Sequence, residues 1–121
     1  DALLVEMMHL ALSTRARASQ LAYIRERIAD YRHVVLMGDM NTHAEDLLQH
    51  SPLRDSALHT AELPGTFPSW KPARALDHIL LTPSLQIEQV DVLPQAISDH
   101  LPVSMHIRLP PGLCARSRID D

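Results

Sequence analysis

Two apolar runs of strand length flank a segment with helical spacing, and that order narrows the fold more than any other feature of the chain. Leu3 to Leu12, LLVEMMHLAL, is interrupted only by Glu6 and His9 and reads as a central strand buried on both faces. Ser13 and Thr14 are helix N-cap types, and Leu21, Ile24 and Ile28 then recur at helical spacing. Arg15, Arg17, Arg25 and Glu26 fall on the polar side, so a helix is expected to end near Tyr31. The next run, His33 to Met37, is β-branched and apolar and closes at Gly38. Strand, helix and strand in this order make a βαβ-like unit of parallel strands with a right-handed crossover.

The rest of the chain fits the same class. A short helix is expected over Ala44–Gln49, with a further turn past Pro52, followed by the proline-punctuated loop ELPGTFPSWKP. Three more strands are expected at Ala75–Thr82, Gln86–Leu93 and Val103–Leu109, the first two joined by a hairpin-like TPSL turn. The fold class read from this pattern is α/β (α+β), strand-rich, with loops carrying the unusual polar residues.

Composition bounds the function. With 121 residues, 45% hydrophobic and a net charge of -4, the chain suits one globular domain and lacks the whole-domain basic footprint common in nucleic-acid binders. Residues 1–110 are expected to form the domain and 111–121 a disordered tail. The tail holds Cys114, the single cysteine, which has no partner for a disulfide and is given no role. No apolar stretch reaches the roughly 18 residues that span a bilayer, so a soluble protein is expected, with a leaning to the cytoplasm. The sequence opens at Asp1 on a strand already under way, which reads as the back part of something longer.

The polar residues sit where strands end. VVLMGDMNTH places Asp39 and Asn41 two apart just past an apolar run. If extended, they face one side with Cα atoms roughly 6 to 7 Å apart and can address one small ligand. The carboxylate would orient or deprotonate water, and the amide would donate to a phosphoryl oxygen. The competing reading is an Asx-turn that satisfies only the local backbone. ALDHILLT puts Asp77 inside an apolar strand, where a buried carboxylate demands a partner. His100, in AISDHLPVSMHI, is the natural one, and pairing would favour its imidazolium. Backbone amides are the alternative partner for Asp77. In extended geometry Asp99 and His100 would face opposite ways.

GDMN, LDHILL and SDHLPV, in that order and at these separations, resemble the three C-terminal motifs of the endonuclease/exonuclease/phosphatase superfamily, the deoxyribonuclease I-like metal-dependent phosphoesterases. MMHLAL resembles that family's earlier strand with a catalytic histidine. The resemblance covers nearly all of Leu3 to Leu109. It implies that Asp39 orients or activates the attacking water, that Asn41 holds a phosphate oxygen and that His9 is a second phosphate contact. It also implies Asp99 in the metal-binding group and His100, supported by Asp77, stabilising charge on the phosphoryl oxygens. The ion implied is Mg²⁺, with Mn²⁺ as the alternative, because the ligands are oxygens.

The family's fold is a four-layer αββα sandwich about twice this length, and its N-terminal half supplies an Asn and a Glu to the metal site. This chain is therefore expected to be the C-terminal half, inactive alone, with a bare inner sheet face that meets the missing half or a second copy. The alternative is a catalytically silent fragment or binding module that keeps the fold. A Zn²⁺ hydrolase built from histidines is disfavoured by their scattered spacing. Glu6 is given a strand-partner role rather than a metal one. His43 reads as a surface cap, and His33, His50, His59, His78 and His106 as structural. Trp70, Phe67 and Arg74, in a loop ahead of LDHILL, are weak candidates for shaping a substrate pocket, with loop anchoring the competing role. Arg15 and Arg17 suit either a phosphate contact or a solvated helix face. The substrate is a phosphoester, with nucleic acid one option among lipid head groups and small phosphoesters.

Overall fold

The computed structural model describes residues 2–61, 63, 65–95 and 98–113; Cys114 and most of the expected tail lie outside them. The elements run β1 (Leu3–His9), α1 (Thr14–Ile28), β2 (His33–Asp39), α2 (Ala44–Gln49), β3 (Asp77–Leu81), β4 (Gln86–Val92) and β5 (Val103–Arg108). β1 and β2 pair in parallel and β2 and β3 antiparallel, giving a three-stranded sheet in the order β1-β2-β3; β4 and β5 form a separate antiparallel pair. The βαβ unit thus forms as the apolar spacing requires. The Ser13 hydroxyl caps α1 by accepting the Ala16 N–H at 3.2 Å.

Alternation along the strands builds two cores, one on each face of the three-stranded sheet. Val34, Leu36 and Leu80 point to the helical side and pack with Leu21, Ile28, Leu47 and Leu53. Val35, Ile79 and Leu81 point to the other side and pack with Leu85, Ile87, Val103, Met105 and Ile107 from around the β4–β5 hairpin. Three layers result: helices, sheet, hairpin.

Two strand expectations are corrected. TPSL does not join a hairpin, because β3 and β4 do not pair; the turn, closed by Leu85 N–H to Thr82 C=O at 3.1 Å, carries the chain from one sheet to the other. β1 is also not a central strand with both faces buried. Among the described residues it is an edge strand whose Leu4 and Met8 pack toward the helical core. On its other face Leu3 joins the second core, while Val5 is 49% and Met7 79% exposed, because the hairpin covers mainly the β3 side of the sheet. Among the described residues of the three-stranded sheet, the large apolar side chains left exposed are Val5 and Met7. Glu6 pairs with Arg27 of the helix α1 at 2.7 Å rather than with the strand partner expected for it.

His78 behaves as its alternation with Asp77 implies. It is 2% exposed, and its Nε2–H donates to the Thr42 carbonyl at 2.8 Å. Burial lowers its pKa below the ordinary 6.5, against the opposing pull of that hydrogen bond and of Asp77. The unfolded chain therefore takes up a proton near pH 6.5 that the folded chain resists. The neutral histidine's contribution to stability is complete above pH 6.5 and is lost as pH falls through the lowered value. His78→Gln, which keeps an N–H donor and does not titrate, is expected to reduce the fall in urea midpoint between pH 7.5 and 5; an unchanged fall would refute the assignment.

Candidate active site

Sheet register assembles the site. His9 pairs with Asp39 across β1 and β2, and Asp39 pairs with Asp77 across β2 and β3, so three polar residues stand in one row at neighbouring strand ends. All three share the sheet face that carries Val5, Met37 and Ile79. The register depends on Gly38. Its φ is +136°, and a Cβ there would lie 1.9 Å from the Met8 carbonyl oxygen of β1. The close approach that this glycine permits is to a neighbouring backbone.

His100 closes the row from the other side. Its Nδ1 is 2.6 Å from Asp77 Oδ2, and its Nε2 is 3.4 Å from Asp39 Oδ2. His9 Nε2 lies 3.5 Å from the same Asp39 oxygen. These two longer separations are ion-pair distances rather than hydrogen bonds, which leaves Asp39 Oδ2 open to a further donor. Burial works against the charged form of His100, but the hydrogen bond and charge of Asp77, with the charges of Asp39 and Asp99, outweigh it and raise its pKa. Asp77 Oδ2 also accepts the Thr66 hydroxyl at 2.7 Å. The Phe67 ring tilts against the imidazole with centroids 4.7 Å apart.

Asn41 departs from the extended geometry assumed for it. Its φ is +49°, its backbone N–H donates to Asp39 Oδ1 at 2.9 Å, and its side-chain amide donates to the Leu10 carbonyl at 2.6 Å. The Asx-turn therefore forms, yet it does not remove the pair from the site. His9, Asp39, Asn41, Phe67, Arg74, Asp99 and His100 all line one cleft of about 410 Å³. The turn is the means by which both side chains reach it. Asp99 and His100 likewise share the cleft, because residues 98–100 form a bend rather than a strand.

The remaining candidates sort by contact. Arg17 is spent on the Ala11 and Leu12 carbonyls, at 3.2 and 2.8 Å, and serves the β1–α1 loop. Trp70 stands 76% exposed and is not among the cleft residues. His43 precedes α2 without a side-chain cap hydrogen bond, so its capping role does not form. Thr66, fully buried as an anchor for Asp77, escaped the sequence reading. It lies in the proline-rich loop, where periodicity carries no signal.

For a metal, the donor set is suitable. Ligand atoms of Asp39, Asp77 and His100 lie within 4.8 Å of one another, close enough to hold a cation. Within that group, Asp77 Oδ2 already accepts from the Thr66 hydroxyl and His100 Nδ1, and the raised pKa of His100 disfavours the neutral imidazole that a metal ion needs. The carboxylates left facing the cleft are Asp39 and the exposed Asp99. One or two carboxylates completed by water and substrate phosphate is the ordinary environment of Mg²⁺.

Comparison with known proteins bears on the family and the fold. A family model described as the endonuclease/exonuclease/phosphatase family matches residues 8–100. A search of curated proteins by sequence returned no match. Among solved structures, a functionally unknown conserved protein from Enterococcus faecalis superimposes with a TM-score of 0.68 at 22% identity, over 86% of this chain and 49% of that one. A mannosyl-6-phosphatase from Bacteroides thetaiotaomicron gives 0.65 at 20%, over 85% and 50%. D. rerio TDP2, complexed with single strand DNA product, gives 0.67 at 14%, over 86% and 55%. The chain thus spans about half the length of these structures, and at such identities the likeness concerns the fold.

Proposed function

The chain belongs to the endonuclease/exonuclease/phosphatase family, and from that premise we propose that it carries the water-activating and phosphate-polarising side of a metal-dependent phosphoesterase site. The family's members are hydrolases, and the solved structures with a similar fold include a mannosyl-6-phosphatase and TDP2. The observation that carries the reading is the orientation of His100. Its Nδ1 is fixed on Asp77, so its Nε2 is presented beside Asp39 in the cleft.

The roles follow from proton inventory. Asp39 accepts the proton of the attacking water, its other oxygen being held by the Asn41 N–H. His100, charged under the influence of Asp77, donates from Nε2 to a phosphoryl oxygen as negative charge builds there. His9, exposed at the mouth of the cleft, supplies a second donor, and Asn41 retains one amide N–H beyond that given to Leu10. Asp99 with Asp39 would hold a divalent ion, Mg²⁺ or Mn²⁺. When bound, that ion supplies Lewis-acid stabilisation of the phosphoryl oxygens and lowers the pKa of water. Thr66 and Phe67 fix the Asp77–His100 pair and touch no reacting atom.

The test is hydrolysis of bis(p-nitrophenyl) phosphate with Mg²⁺ by the protein at the full length its gene encodes. Asp39→Ala is expected to lose most of the activity, and wild-type turnover in that variant would sink the reading. Asp77→Asn removes the charge that raises the pKa of His100. The alkaline fall of kcat/KM, which reports loss of the His100 proton, should therefore move to lower pH; an unmoved limb would remove Asp77 from its supporting role.

A further inference from the structure

The bend over residues 98–100 carries two site residues that are held in different ways. His100 is gripped through its side chain, by Asp77 at Nδ1 and by the Phe67 ring. The exposed Asp99 carboxylate makes no hydrogen bond to any described residue, so its place in the cleft depends on the main chain beneath it. Two carbonyls of that main chain are held by one residue. Ser69 N–H donates to the Asp99 carbonyl at 2.7 Å, and the Ser69 hydroxyl donates to the Ser98 carbonyl. In an extended strand successive carbonyls point opposite ways, and one residue could not take both. The bend turns them toward the same pair of donors.

Ser69 can serve as a support because its own loop is closed. Phe67 and Arg74 pair across the loop, with Thr66 N–H and Phe67 N–H donating to the Arg74 carbonyl at 2.9 and 3.1 Å. Lys71 N–H donates to the Pro68 carbonyl at 3.0 Å, a turn that encloses Ser69. At the base of the loop a Cβ on Gly65 would meet the Ala73 backbone at 2.8 Å, so the two limbs lie close together. On the far side of the bend, Leu101 N–H donates to the Thr66 carbonyl at 2.8 Å and ties the two segments a second time.

We propose, resting on the metal-dependent phosphoesterase reading, that Ser69 is a positioning residue for Asp99: its N–H and O–H hold the Asp99 and Ser98 carbonyls so that the Asp99 carboxylate faces the cleft, and Ser69 thereby sets the affinity for the divalent ion. Mg²⁺ demands near-ideal octahedral geometry, so a carboxylate free to swing is a poor ligand for it. Groups outside the coordination shell that fix a ligand typically change metal affinity about tenfold or more when removed. His100 is held through its own side chain and keeps its place when Ser69 changes. Ser69 therefore acts on metal affinity rather than on the donor to the phosphoryl oxygen.

The test is Mn²⁺ binding to the protein at the full length its gene encodes, read without turnover from the free ion's electron paramagnetic resonance signal. Ser69→Ala removes the hydroxyl and keeps the N–H, and should raise the Mn²⁺ Kd about tenfold. The activity it loses on bis(p-nitrophenyl) phosphate at limiting Mg²⁺ should return as Mg²⁺ is raised about tenfold. Ser69→Thr keeps the hydroxyl and should restore the Kd. Ser69 belongs to neither core, so the alanine variant should fold. Asp99→Asn is the reference and should weaken Mn²⁺ at least as much. If Asp99→Asn weakens the ion and folded Ser69→Ala does not, this inference falls alone. It falls too if added Mg²⁺ fails to recover the Ser69→Ala activity, or if Ser69→Thr binds no better than the alanine variant. A wild-type Kd in Asp99→Asn strikes instead the metal assignment on which the inference rests.

Discussion

His100→Ala is expected to lower kcat for phosphodiester hydrolysis by about 100- to 1,000-fold, the usual loss when one preorganised donor to a developing oxyanion is removed. The imidazole is well prepared for that task. Asp77 fixes its tautomer and orientation through Nδ1, Thr66 fixes Asp77, and Phe67 restricts the ring from one side. Donation from Nε2 therefore costs little reorganisation in the transition state, where it matters most. KM should change much less, since the contact strengthens only as charge builds on phosphate. The variant should also fold, because His100 lies at the cleft in a bend and belongs to neither core. A kcat within fivefold of wild type, measured on folded protein, would remove His100 from the mechanism.

Gly38→Ala is expected to abolish folding or to cost about 4 kcal/mol or more, at the far end of the range for single substitutions. Two effects coincide. The backbone at φ +136° is one that L side chains rarely adopt, and the new Cβ would sit 1.9 Å from the Met8 carbonyl oxygen. That oxygen is backbone, so no side-chain rotation relieves the overlap; β1 must move away from β2. The separation would open beside the pairing of His9 with Asp39, so any soluble remainder should also lack activity. A Gly38→Ala protein with the wild-type urea midpoint would show that the register does not depend on this residue.

Much of this architecture could be read from the chain because short-range pattern and long-range packing agree. The α2 bounds Ala44–Gln49 and the parallel β1/β2 pairing emerged as expected, the pairing because two apolar strand runs flank one capped helix of regular spacing. The partnership of Asp77 with His100 was legible for a different reason: a carboxylate beside an apolar run needs a donor, and a histidine just ahead of another strand can supply one. What stayed hidden depends on where distant segments meet. The β1 run is apolar on both faces, and only the placement of the hairpin reveals that Val5 and Met7 have no cover among the described residues. Asn41 in its left-handed turn and residues 98–100 in their bend break the alternation by which facing was inferred. Thr66 sits in a loop whose conformation is set by pairing between Phe67 and Arg74, which no periodicity announces. For Asp99, the resemblance supplied a metal-binding role; the fold contributes its place in the cleft.

The row His9, Asp39, Asp77 has a consequence for how such a chain can evolve. Each member is positioned by counting residues along its own strand, with a rise of about 3.3 Å per step and a change of face at each. A codon gained or lost within any of the three strands, if it shifts the pairing, therefore displaces one member and turns it away from the other two. The same event in the loop between α2 and β3 leaves the row untouched. Length variation among descendants of this sequence should accordingly accumulate in the connections, while the strands keep their count, even where every apolar residue in them is exchanged for another.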